Sequence, residues 1–275
     1  MASLRNRAVA LVAACTIVSV SAAGPSYVDI TWMSIANMYF EVGALRIIAD
    51  GYFSRIPQSE FYGGGGGLAK TRTPYKPDVE AVGQVLKALG GAKVNFLLTG
   101  HSHFDHSFDT ATWSRLTGAA IIGSKTTCFQ ARAEDIPASR CTPVNGREKM
   151  VLSDGVTMRV VRLNHSGDPA TNPEQHNPVE LESIPVRDPA TGGLRLGVAE
   201  DFPNGGGTRG FLFTVDGPQG RFSWFYADSM SAVDMQVPIV VSGVDYGAPL
   251  DNLKAAMKDA GLDSVDLWIG TGGLA

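Results

Sequence analysis

Sulfur, charge and histidine are all scarce in this chain, and each scarcity excludes something. Only three of its 275 residues are cysteine, Cys15, Cys128 and Cys141, and their spacing is not that of a zinc ribbon. Charged residues make up 18% and the net charge is −4 at pH 7. That balance argues against a nucleic-acid binder that relies on a broad basic surface. No apolar run reaches the roughly 20 residues of a spanning helix, so no stable membrane span is expected. There is no internal repeat. Histidine occurs only five times, which gives the placement of each one its weight.

What is present suits a globular protein. The hydrophobic fraction is 44% with 32 glycines, ordinary apolar content with many loops and tight turns. The length fits one large domain or two small ones. The first 22 residues read as a signal peptide. Arg5 and Arg7 make a positive n-region, residues 8–20 are apolar, and Val20-Ser21-Ala22 supplies small residues for cleavage. Export to the periplasm or beyond the cell is the expected localisation. A second reading takes Val12-Ala13-Ala14-Cys15 as a lipoprotein box, with Cys15 lipidated. In an oxidising compartment Cys128 and Cys141 would close a short loop. Two unpaired buried thiols are the other reading.

Alternating or short apolar runs predict strands at 28–32, 37–42 and 45–49, an antiparallel meander. Residues 56–76 read as a loop centred on Gly63 to Gly67, without the Gly-Lys spacing of a phosphate-binding loop at Lys70-Thr71. A helix is expected over 77–89, with Pro77 in its first turn, one apolar face and Gly90-Gly91 after it. A buried strand follows at 94–98. Further along, helices are expected at 109–116 and 250–260. Strands are expected at 119–122, 149–152, 157–163, 210–215, 221–226 and 265–269. Residues 166–208 are rich in Pro, Gly, Asn and Asp with little periodicity, a length of loop that usually carries function. Trp32, Phe40, Trp224 and Tyr226 read as core packing. Ser166 and Asp168 either line a site or make a turn.

The chemistry concentrates in His101-Ser102-His103-Phe104-Asp105-His106, just past the strand at 94–98. Divalent metals need several imidazoles or carboxylates converging at about 2.0–2.2 Å. His101 and His103, two apart, can reach one ion, while Asp105 and His106 can turn to a second. Three of the chain's five histidines fall within these six residues.

This run resembles the His-x-His-x-Asp-His hallmark of the metallo-β-lactamase fold superfamily. The resemblance extends over most of residues 28–270. It implies an α/β fold, an αββα sandwich of two mixed sheets flanked by helices, over residues 26–275, with the C-terminus incomplete. It implies that His101, His103 and His165 hold a first metal and that Asp105 and His106 hold a second. Asp228, within Ala227-Asp228-Ser229, would bridge the two, and Asp50 would orient ligands. It further implies two zinc ions, with manganese or iron also compatible, and a hydrolase that uses a metal-activated hydroxide on a small ester, amide, lactone or phosphodiester. Asp105 would orient the nucleophile and relay a proton. The alternatives are an iron-dependent oxidoreductase on the same scaffold, or an impaired member.

Two departures from the pattern stand out. The superfamily adds a further histidine to the second metal, yet no histidine follows His176, which lies in the long polar stretch. And Ser34-Ile35-Ala36-Asn37 stands where broad-specificity members carry Gly-His-Ala. Substrate and oligomeric state are not legible.

Overall fold

The structure, a computed structural model of the chain, describes residues 24–55, 74–91, 93–165, 178–194, 203–230 and 235–270. The expected signal peptide, the five-glycine run, Lys70, Thr71, Ser166, Asp168 and His176 lie outside these residues.

Two mixed sheets carry the fold. The first has six strands in chain order: β1 (Val28–Trp32), β2 (Met38–Val42), β3 (Leu45–Ala49), β4 (Phe96–Leu98), β5 (Ala120–Gly123) and β6 (Cys141–Pro143). The β1–β2–β3 meander is antiparallel, and β3 to β6 run parallel. Along the chain follow β7 (Lys149–Ser153), β8 (Val156–Leu163), β9 (Thr208–Gly217) and β10 (Gly220–Ala227). A small hairpin, β11 (Val240–Val241) with β12 (Val244–Asp245), precedes β13 (Leu267–Gly270). The second sheet has the order β13-β10-β9-β8-β7, antiparallel except for the parallel β10–β13 pair.

Period-2 alternation explains how the sheets meet. Phe40, Val42 and Ile47 from the first sheet pack against Val156, Met158, Phe211, Phe213, Trp224 and Tyr226 from the second. The Phe213 and Trp224 rings stack at 4.4 Å between centroids. Leu97 and Leu98 are both buried, as expected of a parallel strand covered on both faces.

The helices lie outside the sheets. α1 (Val79–Ala88), α3 (Thr110–Thr117) and α4 (Lys125–Ala133) belong to the first sheet's outer face, while α5 (Pro249–Ala260) covers the second. A one-turn helix, α2 (Phe104–Ser107), sits at the sheet edge. This is the expected αββα sandwich. α1 starts later than expected: Asp78 is its N-cap, accepting from the Ala81 N–H at 2.9 Å, and Pro77 lies before it.

Periodicity did not reveal α4 or β6. The helix sequence KTTCFQARA has no continuous apolar stripe, and its start is set by the Ser124 N-cap accepting from the Thr127 N–H. Cys128 on α4 and Cys141 on β6 form a disulfide, which decides between the two readings of that pair.

Candidate metal centre

The ends of four strands converge on one edge of the sandwich. Asp50 follows β3, His101 follows β4 after Thr99 and Gly100, His165 follows β8 after Asn164, and Asp228 follows β10. His103 is the N-cap of α2, which carries Asp105 and His106. Gly100 is required by close approach, because a Cβ there would lie 2.2 Å from the Asp228 carboxyl carbon.

Three imidazoles face one point. His101 Nε2 lies 3.1 Å from His103 Nδ1 and 3.2 Å from His165 Nε2. Ligands about 2.0–2.1 Å from a tetrahedral zinc sit about 3.3 Å from one another, so the spacing suits a shared ion. Burial pushes His101 and His103 well below the usual imidazole range, and neighbouring imidazoles add to it. The rings are therefore neutral, the form that binds metal.

The second pair is built differently. His106 Nε2 lies 3.5 Å from Asp105 Oδ2, and its Nδ1 donates to Asp50 Oδ2 at 2.9 Å. Burial pulls His106 down, but Asp105, Asp50 and Asp228 outweigh it and bring it up to about 10. The Asp105 side chain is 40% exposed, whereas those of Asp50 and Asp228 are fully enclosed. Burial raises both enclosed acids, Asp50 to about 7 and Asp228 to about 6.

Asp228 sits behind His101. Its Oδ2 accepts from the His101 backbone N–H at 3.0 Å and meets His101 Nδ1 at 2.8 Å. That is the ring edge opposite Nε2. It also lies 3.5 Å from His106 Nδ1, and His101, His106 and Asp228 form a second set of atoms close enough to share an ion. Asp228 was expected to bridge two metals, and here its Oδ2 is within reach of both His101 Nδ1 and His106 Nδ1.

Several supporting residues gave no functional signal in the sequence. Ser102, between the first two histidines, donates its N–H to Gly205 O at 2.7 Å. Its hydroxyl meets Ser124 Oγ at 2.5 Å and Thr127 Oγ1 at 2.8 Å, so α4 holds the motif from outside. Arg209 is fully buried and bonds the carbonyls of Val144, Gly206 and Gly207 with Glu180, which shapes the turn carrying Gly205. Asn37 Oδ1 accepts from the Gly51 and Tyr52 N–H groups, both at 2.9 Å, and pins the turn after Asp50. Asp109 accepts from the Phe53 and Ser54 N–H groups and the Ser54 hydroxyl. Tyr226 packs in the core as expected, and its hydroxyl also reaches Asp50 at 2.9 Å.

No protein-family model matches the chain. It is 25% identical over 140 residues to a metal-dependent hydrolase of Pyrobaculum islandicum, covering 51% of this chain and 52% of the relative. It is 30% identical over 77 residues to a metal-dependent hydrolase of Pyrobaculum arsenaticum, covering 28% and 34%. The chain thus spans about half the length of the first of these relatives. Among solved structures, a metallo hydrolase from Ignicoccus hospitalis overlaps with TM-score 0.40 and 14% identity, over 73% of this chain and 60% of that one. A subclass B3 metallo-β-lactamase of Bradyrhizobium japonicum overlaps with TM-score 0.39 and 14% identity, over 88% and 76%. The two mixed sheets are those the resemblance implied, three histidines that could hold an ion meet at their edge, and the relatives are named metal-dependent hydrolases.

Proposed function

We propose that this chain is a metal-dependent hydrolase of small molecules, holding zinc on His101, His103 and His165 and a second zinc on Asp105 and His106. The observation that carries this reading is the trio of ring nitrogens, 3.1 and 3.2 Å apart around His101 Nε2. When bound, metal held by these residues would supply polarisation of the scissile bond and a water that is nucleophilic near neutral pH. Nitrogen and carboxylate donors suit zinc, and manganese or iron fit the same set.

The chain's own residues divide the remaining work. Asp228 fixes the His101 ring through Nδ1, and Asp50 fixes His106 in the same way. Asp105, alone of these three acids, reaches solvent. It orients the attacking water, takes its proton and passes it to the leaving group. An ester, amide, lactone or phosphodiester is the bond type this chemistry serves.

Export is part of the proposal. The basic and apolar N-terminal pattern supports it, and so does the Cys128–Cys141 disulfide, since such bonds persist in oxidising compartments. Among the described residues no helix is long and apolar enough to cross a membrane.

Metal analysis with a panel of generic esters, lactones and phosphodiesters tests the reading. Zinc-loaded protein is expected to hydrolyse at least one class, and His103→Ala to lose both zinc and turnover. Undiminished turnover in His103→Ala, or redox-active iron in place of zinc, would overturn it.

A further inference from the structure

Resting on that reading of the second metal pair, we propose that Tyr226 is a positioning residue. Its hydroxyl, acting through Asp50, holds the His106 ring so that Nε2 points to Asp105 for metal binding.

The geometry is a chain of contacts running from the core to the site. Tyr226 is fully buried, its ring set edge-on to Phe40 at 5.9 Å. Its hydroxyl oxygen lies 2.7 Å from Ala36 O and 2.9 Å from Asp50 Oδ2. Asp50 Oδ2 is the same oxygen that accepts from His106 Nδ1 at 2.9 Å. A buried hydroxyl costs stability unless it is hydrogen-bonded. Phe211, Phe213 and Trp224 fill the same layer, so packing alone would be served by phenylalanine at 226.

The backbone of Asp50 has little freedom. It sits at φ 59°, its N–H donates to Leu98 O at 2.7 Å, and Asn37 ties down the next two residues. What remains free is rotation of the carboxylate. Gly100 N–H meets Oδ1 at a long 3.3 Å, so the Tyr226 hydroxyl is the stronger brake on that rotation. β10 thereby supports both metal pairs from behind. Asp228 just after the strand braces His101, and Tyr226, two residues earlier, braces His106 through Asp50.

Tyr226→Phe keeps the ring and removes the hydroxyl's two contacts, with Asp50 Oδ2 and with Ala36 O. Full-length protein would be titrated with Co2+ followed by visible absorption, and with Zn2+ by calorimetry. The first equivalent is expected to bind as in wild type and the second about tenfold more weakly, the usual effect of losing an outer partner of a ligand. Ser114→Ala also removes a buried hydroxyl contact, the 2.8 Å bond to Ala119 O, but away from the site. It is expected to leave both equivalents unchanged.

A second readout is independent of metal. The downfield Nδ1–H proton resonance of His106 is expected to shift and exchange faster in Tyr226→Phe. If both equivalents and this resonance match wild type, the role of Tyr226 is overturned. A wild-type protein that takes a single equivalent would count against the two-metal reading instead, and the His106 resonance would then decide on Tyr226 alone.

Discussion

The two halves of the proposed metal centre are built on opposite principles. The His101, His103 and His165 half presents only imidazole nitrogen, its lead ring is fully enclosed, and it leans on α4 through Ser102 and on the turn carrying Gly205. The Asp105 and His106 half mixes charge with nitrogen, opens to solvent at Asp105, and is braced through Asp50. A cluster of ring nitrogens already at ion-sharing distance is set before metal arrives. A charged, half-open pair is set by its neighbours and is adjusted more easily. The first half therefore reads as the anchor, and the second as the part that tunes proton transfer.

Breaking the anchor should have the largest effect. His165→Ala is expected to abolish binding of the first zinc and all hydrolysis, with metal content and turnover as the measurements. Asp105→Ala is expected to remove the second zinc while the first stays bound and the unfolding midpoint of the metal-free chain stays unchanged. If Asp105→Ala lost both metals together, the two halves would not be separable.

A smaller effect should come from α4, on which the anchor leans. Burial raises the Glu134 carboxyl at the C-cap of α4 to about 7, partly offset by Arg115. Its pKa is raised above the ordinary 4.5, so the folded chain holds a proton that the unfolded chain releases. The sign follows: this contribution to stability is full below about 4.5 and is lost as pH rises through about 7. Glu134→Gln keeps the group neutral and should flatten the fall in stability between those limits, by on the order of 2 kcal/mol. Urea unfolding across that range checks it, and parallel curves for both proteins would refute it.

Much of this was legible in the residues. Strands with a clear period, such as β2, β8 and β10, and the compact histidine run were readable because each signal is local. His165 was placed by the resemblance, as the histidine that follows a later strand. α4 was not readable, since its helix rests on a serine cap and a disulfide rather than an apolar stripe. The supporting contacts were hidden for another reason. Asn37 with Gly51, Tyr226 with Asp50, and Asp228 with the back edge of His101 are 14, 176 and 127 residues apart. No spacing rule reaches that far. Asp228 shows what this hides: its order along the chain placed it at the site, but its 2.8 Å contact with His101 Nδ1 could not be read there.

The most direct test of the central claim is anomalous X-ray scattering at the zinc edge from crystals of the zinc-loaded chain. The account predicts a peak about 2.0–2.1 Å from each of His101 Nε2, His103 Nδ1 and His165 Nε2. Zinc bound elsewhere, with no peak among these three nitrogens, would contradict it.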